Sequence, residues 1–200
     1  ILPSKKALSH LVMMKGSYFS ETENWNDTLS QDNFDYEKLA IQIKSVLHFN
    51  QSMIAFTAKD IESIDTQIEL LKNSITAAKD EVMTGGASMC GGNYNRSIPT
   101  QIHVDRATVI LKEMQALKAL LKNNDTEFET IMKEAVALEE ATSYMYGPPE
   151  IVKPSSEMYG EWLVEQKRFE EAKTQFNKVL KRAPKRLIAT NYIETISDNT

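Results

Sequence analysis

Apolar side chains recur every three or four residues along most of this chain, and no segment reads as a strand. That period places them on one face of a helix, so the expected fold is all-helical. Leu8, Leu11, Val12, Met14, Tyr18 and Phe19 mark a first helix, capped by Ser4 and stopping near Thr22-Glu23-Asn24. After Trp25 the pattern weakens. Asn33 or Asp35 then starts a second helix, with Leu39, Ile43, Val46, Leu47, Met53, Ile54 and Phe56 on its apolar face. Lys59-Asp60 turns the chain into a return helix with one stripe, Ile61, Ile64, Ile68, Leu71 and Ile75.

Residues 83–97 hold four of the seven glycines and no periodicity, and are read as a long loop. From Ser97 a helix runs through Val109, Ile110, Met114, Leu117, Leu120 and Leu121, ended by Asn123-Asn124. Asp125 opens the next, which continues to about Tyr146, where Gly147-Pro148-Pro149 breaks it and leaves an extended stretch to Pro154. Ser155 or Ser156 caps a helix to about Gln166, Arg168 to Arg182 forms its partner, and a short helix follows Pro184.

Composition limits the function classes. Twenty-three Lys and Arg against 28 Asp and Glu give a net charge of −5, with no general attraction to phosphate backbones or anionic lipid. No apolar run approaches the ~18 residues of a spanning helix, so neither nucleic acid nor membrane insertion is expected. Seven glycines and six prolines are few for a sheet protein built on tight turns. The single Cys90 forms no internal disulfide and is compatible with any compartment, so localisation stays open. A start at Ile1 reads as an excerpt of a longer protein or a processed form.

Helix–turn–helix units call for a search for repeats. The clearest unit is 157–184, with Gly160 where two helices approach, Phe169 after the turn, Ala172 at the crowded contact, Phe176 in the core and Pro184 opening the next unit. These residues at these spacings resemble a tetratricopeptide repeat, with a family period of about 34 residues. Weaker copies place Gly16, Ser52 and Ala116 with Gly160, Trp25 and Ile61 with Phe169 (Asp125 departs), Thr28, Ile64 and Phe128 with Ala172, and Ile68 and Met132 with Phe176. Asp32 falls where the first copy needs a core residue, so its second helix is expected to be short or displaced. With its loop and its Gly-Pro-Pro stretch, the chain resembles the C-terminal part of a group of bacterial tetratricopeptide proteins of unassigned activity. The resemblance implies a right-handed α-solenoid of about four hairpins and a terminal helix. It covers one domain, 1–200, with irregular repeats near 9–35, 45–80, 103–146 and 153–184, the loop at 83–97 and the last helix at 185–196.

In such a solenoid the first helix of each pair lines the concave face. That register implies a groove of Met13, Phe49, Met53, Phe56 and Leu117, apolar at its middle, with Glu157 and Glu161 at its acidic end; His10, Ser17, Leu120, Leu121 and Glu165 fall on the same face. A groove of this kind takes a helix or an extended peptide. Apolar stripes at helical spacing also build core, and both readings apply here. The Lys/Asn clamp of carboxylate-binding co-chaperone repeats is missing, because Met13, Ser17, Phe49 and Met53 stand in its places. His10, His48, His103 and Cys90 are scattered with no metal-ligand spacing, so no cofactor or metal is expected. Glu157 with Glu161, and Glu139 with Glu140, read as solvated helix faces. Lys178, Lys181, Arg182, Lys185 and Arg186 sit at a helix C-terminus, where cations offset the helix dipole. The leading expectation is a non-catalytic scaffold for a protein or peptide, with homo-oligomers possible. The competing ones are an enzyme domain with a pocket beside residues 83–97, holding His103, Cys90 or a carboxylate, and a structural or oligomerisation spacer.

Overall fold

A computed structural model describes residues 3–26, 28–30, 34–85, 98–143 and 149–198. These form eight α-helices: α1 (Lys5–Thr22), α2 (Ile41–Thr57), α3 (Ile61–Gly85), α4 (Gln101–Leu121), α5 (Asp125–Ala141), α6 (Ser155–Glu165), α7 (Phe169–Arg182) and α8 (Leu187–Asp198). The described residues include no strand, so the all-helical expectation holds.

Polar side chains start several of the helices. Ser4 Oγ accepts the Ala7 N–H at 3.2 Å, Asp60 accepts from both the N–H and the hydroxyl of Ser63, and Asn124 Oδ1 accepts the Glu127 N–H. The turns between α2 and α3, α4 and α5, and α6 and α7 are the same turn built three times. Lys59, Asn123 and Lys167 have φ of 58, 55 and 60°, in the left-handed region. The residue after each donates its N–H five residues back: Asp60 to Ala55, Asn124 to Ala119, Arg168 to Leu163. This Schellman-type closure satisfies carbonyls left over at the helix end. Glu23, φ 53°, is the fourth non-glycine with positive φ among the described residues and ends α1. Each of the four lies seven positions after Gly16, Ser52, Ala116 or Gly160, all of which are buried.

Each helix packs on the next in the chain, and α2 also packs on α4. One apolar cluster runs through the molecule from Leu8 to Ile196. In the last hairpin a Cβ at Gly160 would stand 2.9 Å from the Phe176 ring, so α6 and α7 meet through a notch that admits no larger side chain at Gly160 unless that ring shifts; Ala172 of α7 is also buried.

Some sequence boundaries are corrected. α2 starts at Ile41, not at Asn33 or Asp35: Asp35 Oδ1 takes the Glu37 N–H and the Leu39 N–H closes onto Tyr36 O, a local turn that competes with helix. α3 runs through Gly85, into the expected loop; residues 86–97 lie outside the described ones. α4 starts at Gln101 rather than after Ser97, with the Thr100 N–H donating to His103 Nδ1. α5 ends at Ala141, five residues short of Tyr146. Between α1 and α2 the described residues hold a single 3₁₀ turn, Thr28–Ser30; Asp32, from which a short or displaced helix was expected, lies outside the described residues.

Candidate functional site

None of the seven residues placed on the groove is exposed. Phe49, Met53, Leu117 and Glu157 are buried, and Met13, Phe56 and Glu161 are half-buried. The five apolar ones belong to or pack against the central cluster. His10 and Glu165, on the same register, are exposed.

The cover over this band is the chain's own N-terminal region. The Trp25 ring stands edge-on to Phe49 at 6.0 Å, and Phe19 lies 5.9 Å from Trp25. Higher on α1, a Cβ at Gly16 would come within 2.6 Å of Val46 Cγ1 on α2 and 3.1 Å of Val152 Cγ1. The missing side chain thus lets α1 settle onto α2 and onto the bent segment before α6, which was expected to be extended. Ser20 Oγ donates to the Val152 carbonyl at 2.9 Å, which fixes that contact. Between α1 and α2 a cavity of about 10 Å³, room for one water, is lined by Val12, Phe19, Tyr36, Leu47 and Ile54 with buried Asn50, whose Oδ1 has no hydrogen-bond partner in the structure.

At the acidic end, the expected solvated face is instead a buried ion cluster. Lys153, 2% exposed, sets its Nζ 2.7 Å from Glu161, 2.9 Å from Glu23 and 3.6 Å from Glu157. Arg186 clasps Glu157 with two hydrogen bonds of 2.8 and 2.7 Å and also pairs with Glu21 of α1. Four carboxylates thus surround two cations, drawn from α1, the residue following it, the segment before α6, α6 itself and the residue before α8. Burial pushes Glu161 up to about 7, against the opposing pull of Lys153. Burial also works against the Lys153 ammonium, but Glu161, Glu157 and Glu23 outweigh it and hold its pKa above the ordinary value. Arg186 follows the same balance, with Glu157 its main support.

A second polar cluster lies beside the first. Ser155 donates its hydroxyl to Glu113 at 2.6 Å and its N–H to Glu139 at 2.7 Å. Glu113 is fully buried, and burial, reinforced by Glu139, raises its pKa well above the usual carboxylate range. Burial likewise raises Glu139, so the Glu139–Glu140 pair is not a solvated face at its first member. Arg182 donates to the carbonyls of Glu139, Glu140 and Thr142, the open C-terminus of α5. Lys178 pairs with Glu140. Three members of the basic cluster are therefore committed within the fold, and Arg182 offsets the dipole of a neighbouring helix.

Of the residues of the enzyme reading, His103 meets a carboxylate. His103 Nε2 is 3.7 Å from Glu150, which Arg106 approaches at 3.3 Å. His48 contacts Gln67 at 2.8 Å, and burial lowers its pKa. Cys90 lies outside the described residues. Among the described residues no three His, Cys, Asp or Glu side chains gather as metal ligands, and no helix is long and apolar enough to cross a membrane.

Lys153, Arg186, Glu113 and Ser155 escape a reading of the sequence as separate helices. Two signals were available: Lys153, Glu157 and Glu161 at four-residue spacing, and Glu113 inside the apolar stripe of Ile110, Met114 and Leu117. Comparison with family models, with curated proteins and with solved structures finds no match.

Proposed function

We propose that this chain is a tetratricopeptide-like α-solenoid acting as a non-catalytic scaffold that binds protein or peptide segments. Support for the architecture is the recurrence of one left-handed turn in fixed register with one small buried residue, together with packing between chain neighbours. The observation that carries the function is the covered face. It already holds two kinds of segment in cis, the helix α1 and the bent, non-helical residues before α6, through a notch at Gly16, apolar contacts and paired charges. A face that binds such segments within one chain has the chemistry to bind them from a partner.

The test is a titration of the full chain with a fluorescein-labelled synthetic peptide of residues 4–24, followed by anisotropy. In a chain carrying Gly16→Leu, the resident α1 no longer fits. Peptide affinity should rise by about tenfold over the natural chain, because the seat is no longer filled from within. A structural spacer is the second reading, favoured by the fact that the face is filled. Equal, negligible binding by both chains would establish the spacer and end the scaffold reading.

A further inference from the structure

The carboxylates of the buried ion cluster divide by where they come from. Glu157 and Glu161 belong to α6 and stay in place whatever α1 does, whereas Glu21 and Glu23 arrive with α1. With α1 seated, four carboxylates face Lys153 and Arg186; with α1 away, two would face two. Arg186 already grips Glu157 with two hydrogen bonds, so the contested cation is Lys153. Its ammonium donates to Glu161 at 2.7 Å and to Glu23 at 2.9 Å, with Glu157 a third carboxylate at 3.6 Å. The Glu161 side chain is 20% exposed and that of Glu23 47%, so Glu161 is the claimant that water helps less. From α8, Tyr192 also faces this group and stays neutral, because burial raises its pKa; Glu165, one turn further along α6, is exposed.

We propose that α1 is a pH-controlled cover on this face, closed while Glu161 carries a proton and loosened when Glu161 ionises and takes Lys153 from Glu23. This rests on reading the covered face as a receptor for segments, and it states when that receptor is open. The sign follows from the count of charges. A protonated Glu161 is a neutral hydrogen-bond partner and leaves the charge of the ammonium to Glu23 and Glu157. Ionised, it sets a third full negative charge on an ammonium that is only 2% exposed, where water screens little. Lifting α1 removes Glu21 and Glu23 and lets water reach Glu161, so ionisation and opening favour each other. Burial holds the Glu161 proton up to about 7 under α1, against an ordinary value of 4.5 once uncovered. Between about pH 6 and pH 8 that difference raises the opened fraction by up to about tenfold.

The test is thiol labelling beneath α1 in the full chain with Cys90→Ser. Val46→Cys puts the thiol on α2 under Gly16, and in a second chain Val179→Cys puts it in the buried face of α7. Iodoacetamide, a neutral reagent, is applied from about pH 6 to pH 8. Each rate is divided by that of the same chain unfolded in urea at the same pH, which removes the ionisation of the thiol itself. Where closing outpaces labelling, this ratio reads the opened population. It should rise by up to about tenfold at position 46 and stay level at position 179. With Glu161→Gln added, the rise at position 46 should disappear while circular dichroism shows the same helicity. A level ratio at position 46, an equal rise with and without Glu161→Gln, or a matching rise at position 179 would each overturn the cover. Peptide binding by the Gly16→Leu chain, measured at one pH, does not depend on the Glu161 proton, so the two readings fail separately.

Discussion

Gly160 and Gly16 hold the same register position in the last and first units of the molecule, yet a side chain added to each meets different surroundings. At Gly160 it strikes Phe176 of the same hairpin; at Gly16 it strikes Val46 of α2 and Val152 of the segment before α6. The α6–α7 hairpin is closed by its own turn, its own small residues and its own aromatic ring. α1 is closed by groups that arrive from far along the chain, several of them charged. Local closure makes a unit stable wherever its neighbours are. Remote closure makes a unit whose stability depends on the ion cluster at Lys153.

The most severe way to break this contrast is Lys153→Met. It leaves Glu161 and Glu157 buried and Glu23 without its ammonium partner. Removing one member of a buried ionic group costs about 3–5 kcal/mol, because the remaining charges stay desolvated. Urea denaturation followed by circular dichroism should show a loss of that size. Hydrogen exchange should show α1 opening before α6 and α7. A loss below about 1 kcal/mol would mean that the cluster is wetted and that Lys153 does not hold α1.

A matched pair of glycine substitutions comes next. Gly160→Leu forces the α6–α7 crossing apart and should cost about 1–3 kcal/mol or more by overpacking, with loss of protection confined to those two helices and α8. Gly16→Leu should lift α1 off, expose Trp25 to solvent and leave α6 and α7 protected, with a red shift in tryptophan emission as the readout. Should both substitutions unfold the whole chain alike, the two regions are one cooperative unit and the contrast fails.

Much of the hairpin was legible in the sequence, and little of the α1 seat was. Gly160, Ala172 and Phe176 speak through spacing within one unit, and the structure sets Gly160 against Phe176 and buries Ala172. The left-handed turns were legible less directly: Asn123 is a residue type that tolerates that conformation, but Lys59 and Lys167 are not, and their role comes from the turn's hydrogen bonds. The start of α2 was misplaced because helix periodicity says nothing of the Asp35 side chain capturing the Glu37 N–H. Glu157 and Glu161 looked solvated because charged residues surround them in sequence. What engages them is Lys153 and Arg186, groups a single helix's pattern does not contain. Long-range electrostatics is the part of the fold that local pattern leaves out.

The smallest effect expected is also the one that joins the two regions. Glu161 lies on α6, and burial, with smaller help from Glu157 and Glu23 and against the pull of Lys153, holds its pKa up to about 7. The unfolded chain gives up that proton near the ordinary carboxylate value of about 4.5, whereas the folded chain keeps it to higher pH. Proton binding therefore favours the folded state: the contribution is fully present below about 4.5 and is lost as pH rises through about 7. Glu113 and Glu139 shift in the same direction and His48 in the opposite sense, so the total curve mixes several groups. The difference between the natural chain and Glu161→Gln isolates the one at the cluster, since the amide stays neutral throughout. Stability measured by urea titration across that window should fall less steeply with pH in the variant. α1 amides should lose protection ahead of those of α7 as pH rises in the natural chain, because a fourth negative charge then faces only Lys153 and Arg186. Parallel stability curves for the two chains would show that Glu161 is solvated after all and does not couple α6 to α1.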